Sequence, residues 1–257
     1  MTGKKQKEVS VLNGEHIEYL GEGVSLNVSP RHTFGTDALL LADIAMPSRR
    51  EKTACDLGTG CGIIPFRWLA AGWRGRACAV DISAEAVEML TRSVEACPAA
   101  KDVIIPVNAD LRTLRNPAGI PSGSFDVVCM NPPYVRSGGG ILSGDGEAAT
   151  ARHETQCDLY DVSRAAASLL RSGGRFCVCL RPDRLTDALC AMRECRVEPK
   201  TLRFAVQRKD PESGKDREVP WLVLIEGRRD GRPGLTVQGD LYIESAEAEK
   251  IFSFYRK

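Results

Sequence analysis

The sequence predicts an α/β protein built on one mainly parallel sheet of seven strands, one of them antiparallel, preceded by a small hairpin-and-helix extension. Three observations predict it. From Thr53 onward, short apolar runs alternate with amphipathic stretches, the pattern of strand–helix–strand units. The first run opens into a turn carrying Gly58, Gly60 and Gly62, ahead of an apolar helix. The last two runs are joined through Asp210 to Asp216, a segment rich in Pro, Gly, Ser and charge that reads as a hairpin-like turn and so reverses the final strand.

Taken in order, His16 to Val28 reads as a hairpin turning at Gly21-Glu22-Gly23, followed by a helix from about Thr36 to Ala45. Strands are expected at Thr53–Leu57, Ala77–Asp81, Val103–Val107, Phe125–Met130, Arg175–Leu180, Leu202–Val206 and Trp221–Glu226, all short apolar runs. Helices are expected at Ile63–Ala71, Ala84–Ala96, Tyr160–Leu170 and Arg184–Cys195, with Gly173-Gly174 closing the third before the next strand.

At 257 residues, 43% hydrophobic and 27% charged, the chain has the composition of a globular protein with one large domain and appendages. The first ten residues carry Lys4, Lys5 and Lys7 but no apolar core, and stretches such as Ala38 to Met46 are too short to span a bilayer. A cytoplasmic protein without a membrane segment is therefore expected. The ten cysteines include no Cys-x-x-Cys pair and there are only three histidines, which argues against a disulfide framework and a metal site. Cys55, Cys78, Cys129, Cys177 and Cys179 lie in apolar runs, where free thiols act as small hydrophobes in a reducing compartment. Formal net charge is +1, yet basic residues crowd the stretch from Arg193 to Arg232. That stretch reads equally as a phosphate-binding face or a solvated, salt-bridged one.

Chemistry concentrates at strand ends. The turn Asp56-Leu57-Gly58-Thr59-Gly60-Cys61-Gly62 has Gly-x-Gly-x-Gly spacing rather than the dinucleotide Gly-x-Gly-x-x-Gly. An acid at 56 disfavours phosphate and favours a cationic group such as the ammonium or sulfonium of S-adenosylmethionine. Asp81, ending the second strand, suits both hydroxyls of a ribose. Asp110, after the third, suits an adenine amino group, with the Leu111 N–H donating to a ring nitrogen. Singly, either acid is an ordinary cap or turn residue; together with the glycine turn they share the edge where open α/β sheets bind ligands. The fourth strand ends in Asn131-Pro132-Pro133-Tyr134. Prolines cannot extend a central strand and leave carbonyls without local donors, so Asn131 and Pro132 offer two acceptors and Tyr134 a flat face. Two acceptors and a face suit a planar amine.

The order Asp56-x-Gly-x-Gly-x-Gly, Asp81, Asp110, Asn131-Pro132-Pro133-Tyr134 resembles class I S-adenosylmethionine-dependent methyltransferases acting on exocyclic or amide nitrogens, over about residues 50–226. The segment from Pro30 to Leu41, Ala151-Arg152-His153-Glu154 and the tail from Pro233 to Tyr242 are similar to the bacterial family containing the tRNA(Val) adenine N6-methyltransferase. The resemblance implies a Rossmann-like fold, with residues 1–50 a hairpin and helix packing on the core and 51–257 the methyltransferase domain. It implies S-adenosylmethionine held by Thr36, Asp56, Gly58, Thr59, Gly60, Gly62, Asp81, Ile82, Asp110, Leu111 and Asn131, with no metal. Asn131, Pro132, Pro133 and Tyr134 would carry the catalysis, and the substrate would be an adenine N6 in RNA, specifically tRNA. Protein glutamine and ribosomal RNA guanine N2 methylation remain open, as do, in other classes, a dinucleotide oxidoreductase and a catalytically silent RNA-binding module. The glycine-rich stretch from Val135 to Thr150 reads as a substrate lid or a surface loop, His153-Glu154 as a helix start more than a catalytic pair, and Thr36-Asp37 either resembles the segment that packs over the cofactor's methionine end or is a helix N-cap.

Overall fold

Alternation of inward and outward side chains makes β1 (His16–Gly21) and β2 (Val24–Val28) an antiparallel hairpin whose Leu20, Val24, Leu26 and Val28 are buried. The structure, a computed structural model, describes residues 12, 14–21, 23–114, 120–132, 157–209 and 216–253. Gly35 then starts α1 (Thr36–Ile44), which buries Ala38 to Ala42. The hairpin and α1 share one hydrophobic cluster with α2 (Ile63–Ala70) and α3 (Ala84–Ala96). The Trp68 indole donates to Ala42 O at 2.9 Å and the Asn27 N–H to Ser93 Oγ at 2.9 Å, so α1 and β2 are each tied to a core helix.

The central sheet contains β3 (Thr53–Leu57), β4 (Arg76–Asp81), β5 (Ile104–Asn108), β6 (Phe125–Met130), β7 (Leu170–Leu180), β8 (Val197–Lys209) and β9 (Asp216–Arg229), ordered β5-β4-β3-β6-β7-β9-β8. All neighbouring pairs are parallel except those of β9, which runs antiparallel to β7 and β8. The reversed last strand is thus as the hairpin-like connection predicts, although that connection itself, apart from Asp216, lies outside the described residues. Helices α1, α2 and α3 cover one face; α4 (Leu159–Leu169) and α5 (Leu185–Glu194) cover the other. The α4 start is fixed by a capping box between Asp158 and Asp161.

The structure departs from expectation in two places. Gly173-Gly174 does not close a helix: α4 ends at Leu169, and β7 begins at once, with Leu170 pairing with Phe125. A Cβ on Gly174 would lie 2.9 Å from Phe125 O, so the glycine allows a close strand approach. Beyond the seven strands, β10 (Thr236–Val237) and β11 (Leu241–Tyr242) pair with β8, and α6 (Ala246–Phe252) packs Ala248 and Ile251 into the hairpin-side cluster. These short pieces cover what would otherwise be an open sheet edge.

At the amino edge of the sheet, Arg175 is 8% exposed and pairs with Glu51 at 2.9 Å and Glu226 at 3.0 Å, while donating to the carbonyls of Ile44 and Met46. It fastens the exit of α1 to the sheet. Among the described residues, no helix is long and apolar enough to cross a membrane.

Candidate active site at the carboxyl edge of the sheet

β3, β4, β5 and β6 end side by side, and each end contributes chemistry. The β3 turn needs left-handed backbone at Gly58 (φ +66°), Gly60 (+54°) and Gly62 (+85°). At Gly62, which starts α2, a Cβ would also lie 2.4 Å from Leu90 Cδ1. The Thr59 N–H donates to Val80 O at 2.9 Å, and the Gly60 N–H to Asp81 Oδ2 at 2.7 Å, so the turn is pinned to the end of β4. Asp81 Oδ1 accepts from the Ser83 N–H at 2.9 Å. Asn108, ending β5, donates from Nδ2 to the carbonyls of Asp81 and Ile82, both at 3.0 Å. That amide fixes the bend after β4, leaving Ile82 51% exposed.

Asp56 sits beneath this turn, 1% exposed, with the Thr59 hydroxyl donating to Oδ2 at 2.7 Å and the Cys129 thiol to Oδ1 at 3.4 Å. Burial pushes its carboxyl up to about 7, against the lowering effect of those two donors. It lies beneath the turn, away from the cavity lining, and braces the turn through Thr59. Asp110 starts a 3-10 turn, and its carboxylate accepts from the Arg112 side chain, with Nε at 2.9 Å from Oδ1 and 3.0 Å from Oδ2. Those hydrogen bonds hold its carboxyl below the usual range.

Asn131 follows β6. Its Nδ2 donates to Asp37 Oδ2 at 3.0 Å, and its Oδ1 accepts from the Cys179 thiol at 3.1 Å. Asp37 belongs to the first turn of α1, where the helix start is Gly35 with no side-chain cap. Its carboxylate is turned to Asn131 instead.

A cavity of about 600 Å³ joins these ends. Of the expected residues, Gly58, Thr59, Gly60, Asp81, Ile82, Asp110, Leu111 and Asn131 line it. Thr36, Asp56 and Gly62 do not: Thr36 is exposed on α1, Asp56 lies beneath the turn, and Gly62 ends the turn where α2 begins. Pro132 is buried beside Asn131; Pro133 and Tyr134, like the stretch 135–150 and His153-Glu154, lie outside the described residues. The cavity adds Phe34 and Arg112, which sequence reasoning left out of the site, and Asp37, which with Thr36 resembles the segment that packs over the cofactor's methionine end.

The size falls in the range of roughly 300–1,000 Å³ typical of small-ligand sites, and its donors and acceptors fit S-adenosylmethionine. Backbone N–H groups line a glycine turn, one carboxylate closes β4 next to an apolar side chain, and a second carboxylate follows β5. Among the described residues, no group of three or more His, Cys, Asp or Glu is arranged to hold a metal ion.

The basic stretch divides in two. Because β8 runs parallel to β7, its start and the end of β9 lie at the amino edge, opposite the cavity. There Arg193 pairs with Glu198 at 3.2 Å, Arg196 with Asp230 at 2.8 Å and Arg228 with Glu226 at 3.4 Å, a salt-bridged face. Arg208, near the end of β8, is at the carboxyl edge of the sheet, exposed, with its guanidinium 4.6 Å from the centroid of the Tyr242 ring.

Comparison with known proteins agrees with this geometry. The model of a family described as methyltransferase small domain matches residues 31–206. A tRNA1(Val) (adenine(37)-N6)-methyltransferase of Tolumonas auensis is 28% identical over 176 residues, covering 65% of this chain and 70% of that protein. A release factor glutamine methyltransferase of Chlorobaculum tepidum is 29% identical over 158 residues, covering 56% of this chain and 50% of that protein. The crystal structure of an Agrobacterium tumefaciens protein described as a predicted O-methyltransferase superposes with a TM-score of 0.60 at 22% identity, over 85% of this chain and 96% of that one, a likeness of fold.

Proposed function

We propose a function from the premise that this chain belongs to the methyltransferase small domain family: it transfers a methyl group from S-adenosylmethionine to the exocyclic N6 of an adenine in tRNA. One observation carries the reading. Asn131, closing β6, lines the same cavity as the glycine turn, Asp81 and Asp110.

The cofactor, when bound, supplies a methyl carbon made electrophilic by its sulfonium. The chain's residues would divide the rest. Asp81 would accept the ribose hydroxyls, Asp110 and the Leu111 N–H would meet the adenine edge, and Ile82 would pack on its ring. Gly58, Thr59 and Gly60 would line the path between, and Asp37 would face the amino-acid end. An adenine amine is a poor nucleophile because its lone pair is delocalised into the ring. Hydrogen bonds from the amine to Asn131 Oδ1 and the Pro132 carbonyl would favour a pyramidal nitrogen and stabilise charge developing on it. Collinear alignment of nitrogen, methyl and sulfur is then the main requirement, and the proton leaves after transfer, so no strong base is needed. Tyr134 would stack on the splayed base.

Adenine is favoured over glutamine because the Tolumonas relative is matched over 70% of its length and the Chlorobaculum one over 50%. A tRNA substrate would suit a cytoplasmic protein. Incubation of the protein with labelled cofactor and total RNA, followed by nucleoside analysis, tests the proposal: label in N6-methyladenosine is expected, and label absent from RNA but present in release factor would reject it.

A further inference from the structure

We propose that Asp37 and Cys179 are positioning residues that lock the Asn131 side chain in one of its two amide orientations for methyl transfer; this rests on the amine-methylation reading above. The oxygen and nitrogen of an asparagine amide are nearly equal in size, so shape alone does not decide which end points where. Hydrogen-bond chemistry decides. A carboxylate only accepts, so Asp37 Oδ2, 3.0 Å from Nδ2, demands the NH₂ end. On the other side the Cys179 thiol, 3.1 Å from Oδ1, offers a donor to the oxygen end. A flipped amide would set an oxygen against a carboxylate and turn its NH₂ end to the thiol sulfur, only a weak acceptor.

The two partners come from different elements. Asp37 is in the first turn of α1 and lines the cavity; Cys179 is on β7, the strand beside β6, and is fully buried. Asn131 is thus held from both sides before any substrate arrives, the kind of support that keeps a reacting group within a fraction of an ångström of its working geometry. Cys179 is fully buried and does not line the cavity, so it acts on a ligand there only through its neighbours, of which Asn131 is the one that lines the cavity.

Kinetics of Cys179→Ala, Cys179→Ser and Asp37→Asn, with transcribed tRNA as acceptor, test the lock. Cys179→Ala is expected to lower kcat about tenfold with the cofactor KM unchanged, while Cys179→Ser, whose hydroxyl still donates, recovers to within about threefold of wild type. Asp37→Asn, which no longer demands the NH₂ end, is expected to lower kcat at least about tenfold. A second readout needs no acceptor: the Asn131 side-chain amide resonance, identified by its loss in Asn131→Ala, should move in Cys179→Ala and Asp37→Asn and hold in Cys179→Ser. Wild-type kcat in Cys179→Ala, or a resonance indifferent to both partners, would overturn the lock. Should wild type fail to methylate RNA while the resonance responds as stated, the tRNA reading falls and the lock stands.

Discussion

The Asn131 side-chain amide donates to the Asp37 carboxylate at 3.0 Å, joining residues 94 positions apart. This bond connects the first turn of α1, ahead of the sheet, to the end of β6. Gly35 makes room for it: a Cβ there would lie 2.6 Å from Asp37 Oδ1. Its φ of −113° suits any residue, so the demand for glycine is steric and local. Gly35→Ala should therefore push the carboxylate off Asn131 and lower the single-turnover methylation rate about tenfold, with the melting temperature changed by only a few degrees. Single-turnover assays alongside thermal melts check this; an unchanged rate would show that the carboxylate has room to spare.

Asp56 predicts a pH dependence of stability. Its folded carboxyl titrates near 7 against an ordinary 3.8, chiefly because of burial. A raised value means that the folded state holds a proton the unfolded state has released. The contribution is complete below about pH 4 and drains away as the pH rises through about 7. At about 1.4 kcal/mol per pH unit it reaches on the order of 4 kcal/mol. Glu51, Asp110, Asp126 and Glu247 are shifted downward, so their contributions have the opposite sign and are lost only in acid. Urea titrations at pH 5 and pH 8 should show wild type losing stability relative to Asp56→Asn as the pH rises. Parallel losses in the two proteins would remove Asp56 as the cause.

The division of the basic stretch predicts which arginine meets RNA. Arg208→Gln should raise the KM for tRNA about three- to tenfold and lower the salt dependence of binding by about one phosphate contact. Arg193→Gln, at the opposite edge and paired with Glu198, should leave both unchanged. Equal effects of the two substitutions in filter-binding titrations over a salt series would place the RNA elsewhere.

Much of this architecture was legible in the chain because periodicity and punctuation act locally. Apolar runs located the seven long strands, and the Pro-, Gly- and charge-rich segment before Trp221 signalled the reversal of β9. The same local logic erred at Gly173-Gly174, where the glycines serve a close approach to Phe125 that only pairing with β6 reveals. The cavity residues that follow strand ends, Asp81 and Asp110, were legible because topology alone sends strand ends to one edge. The bonds of Asp37 and Cys179 to Asn131 were not, since a hydrogen bond across 94 or 48 residues leaves no trace in spacing. Asp56 looked like a charge offered to the ligand, and only the folded chain shows it 1% exposed beneath the turn, held by Thr59. The arginines from 193 to 232 looked like one patch because sequence order does not show that β8 and β9 carry them to opposite edges.

The central claim is that Asn131 receives the acceptor amine in the cavity it shares with the cofactor-binding turn, Asp81 and Asp110. Asn131→Ala measured under single turnover, with saturating S-adenosylmethionine and tRNA in excess, tests it most directly. The account predicts a rate lowered by about 10²–10³, as for loss of a donor–acceptor pair that tightens at the transition state, with the dissociation constant for S-adenosylhomocysteine within a few-fold of wild type. A wild-type rate in Asn131→Ala would contradict it, as would a loss explained wholly by weaker cofactor binding.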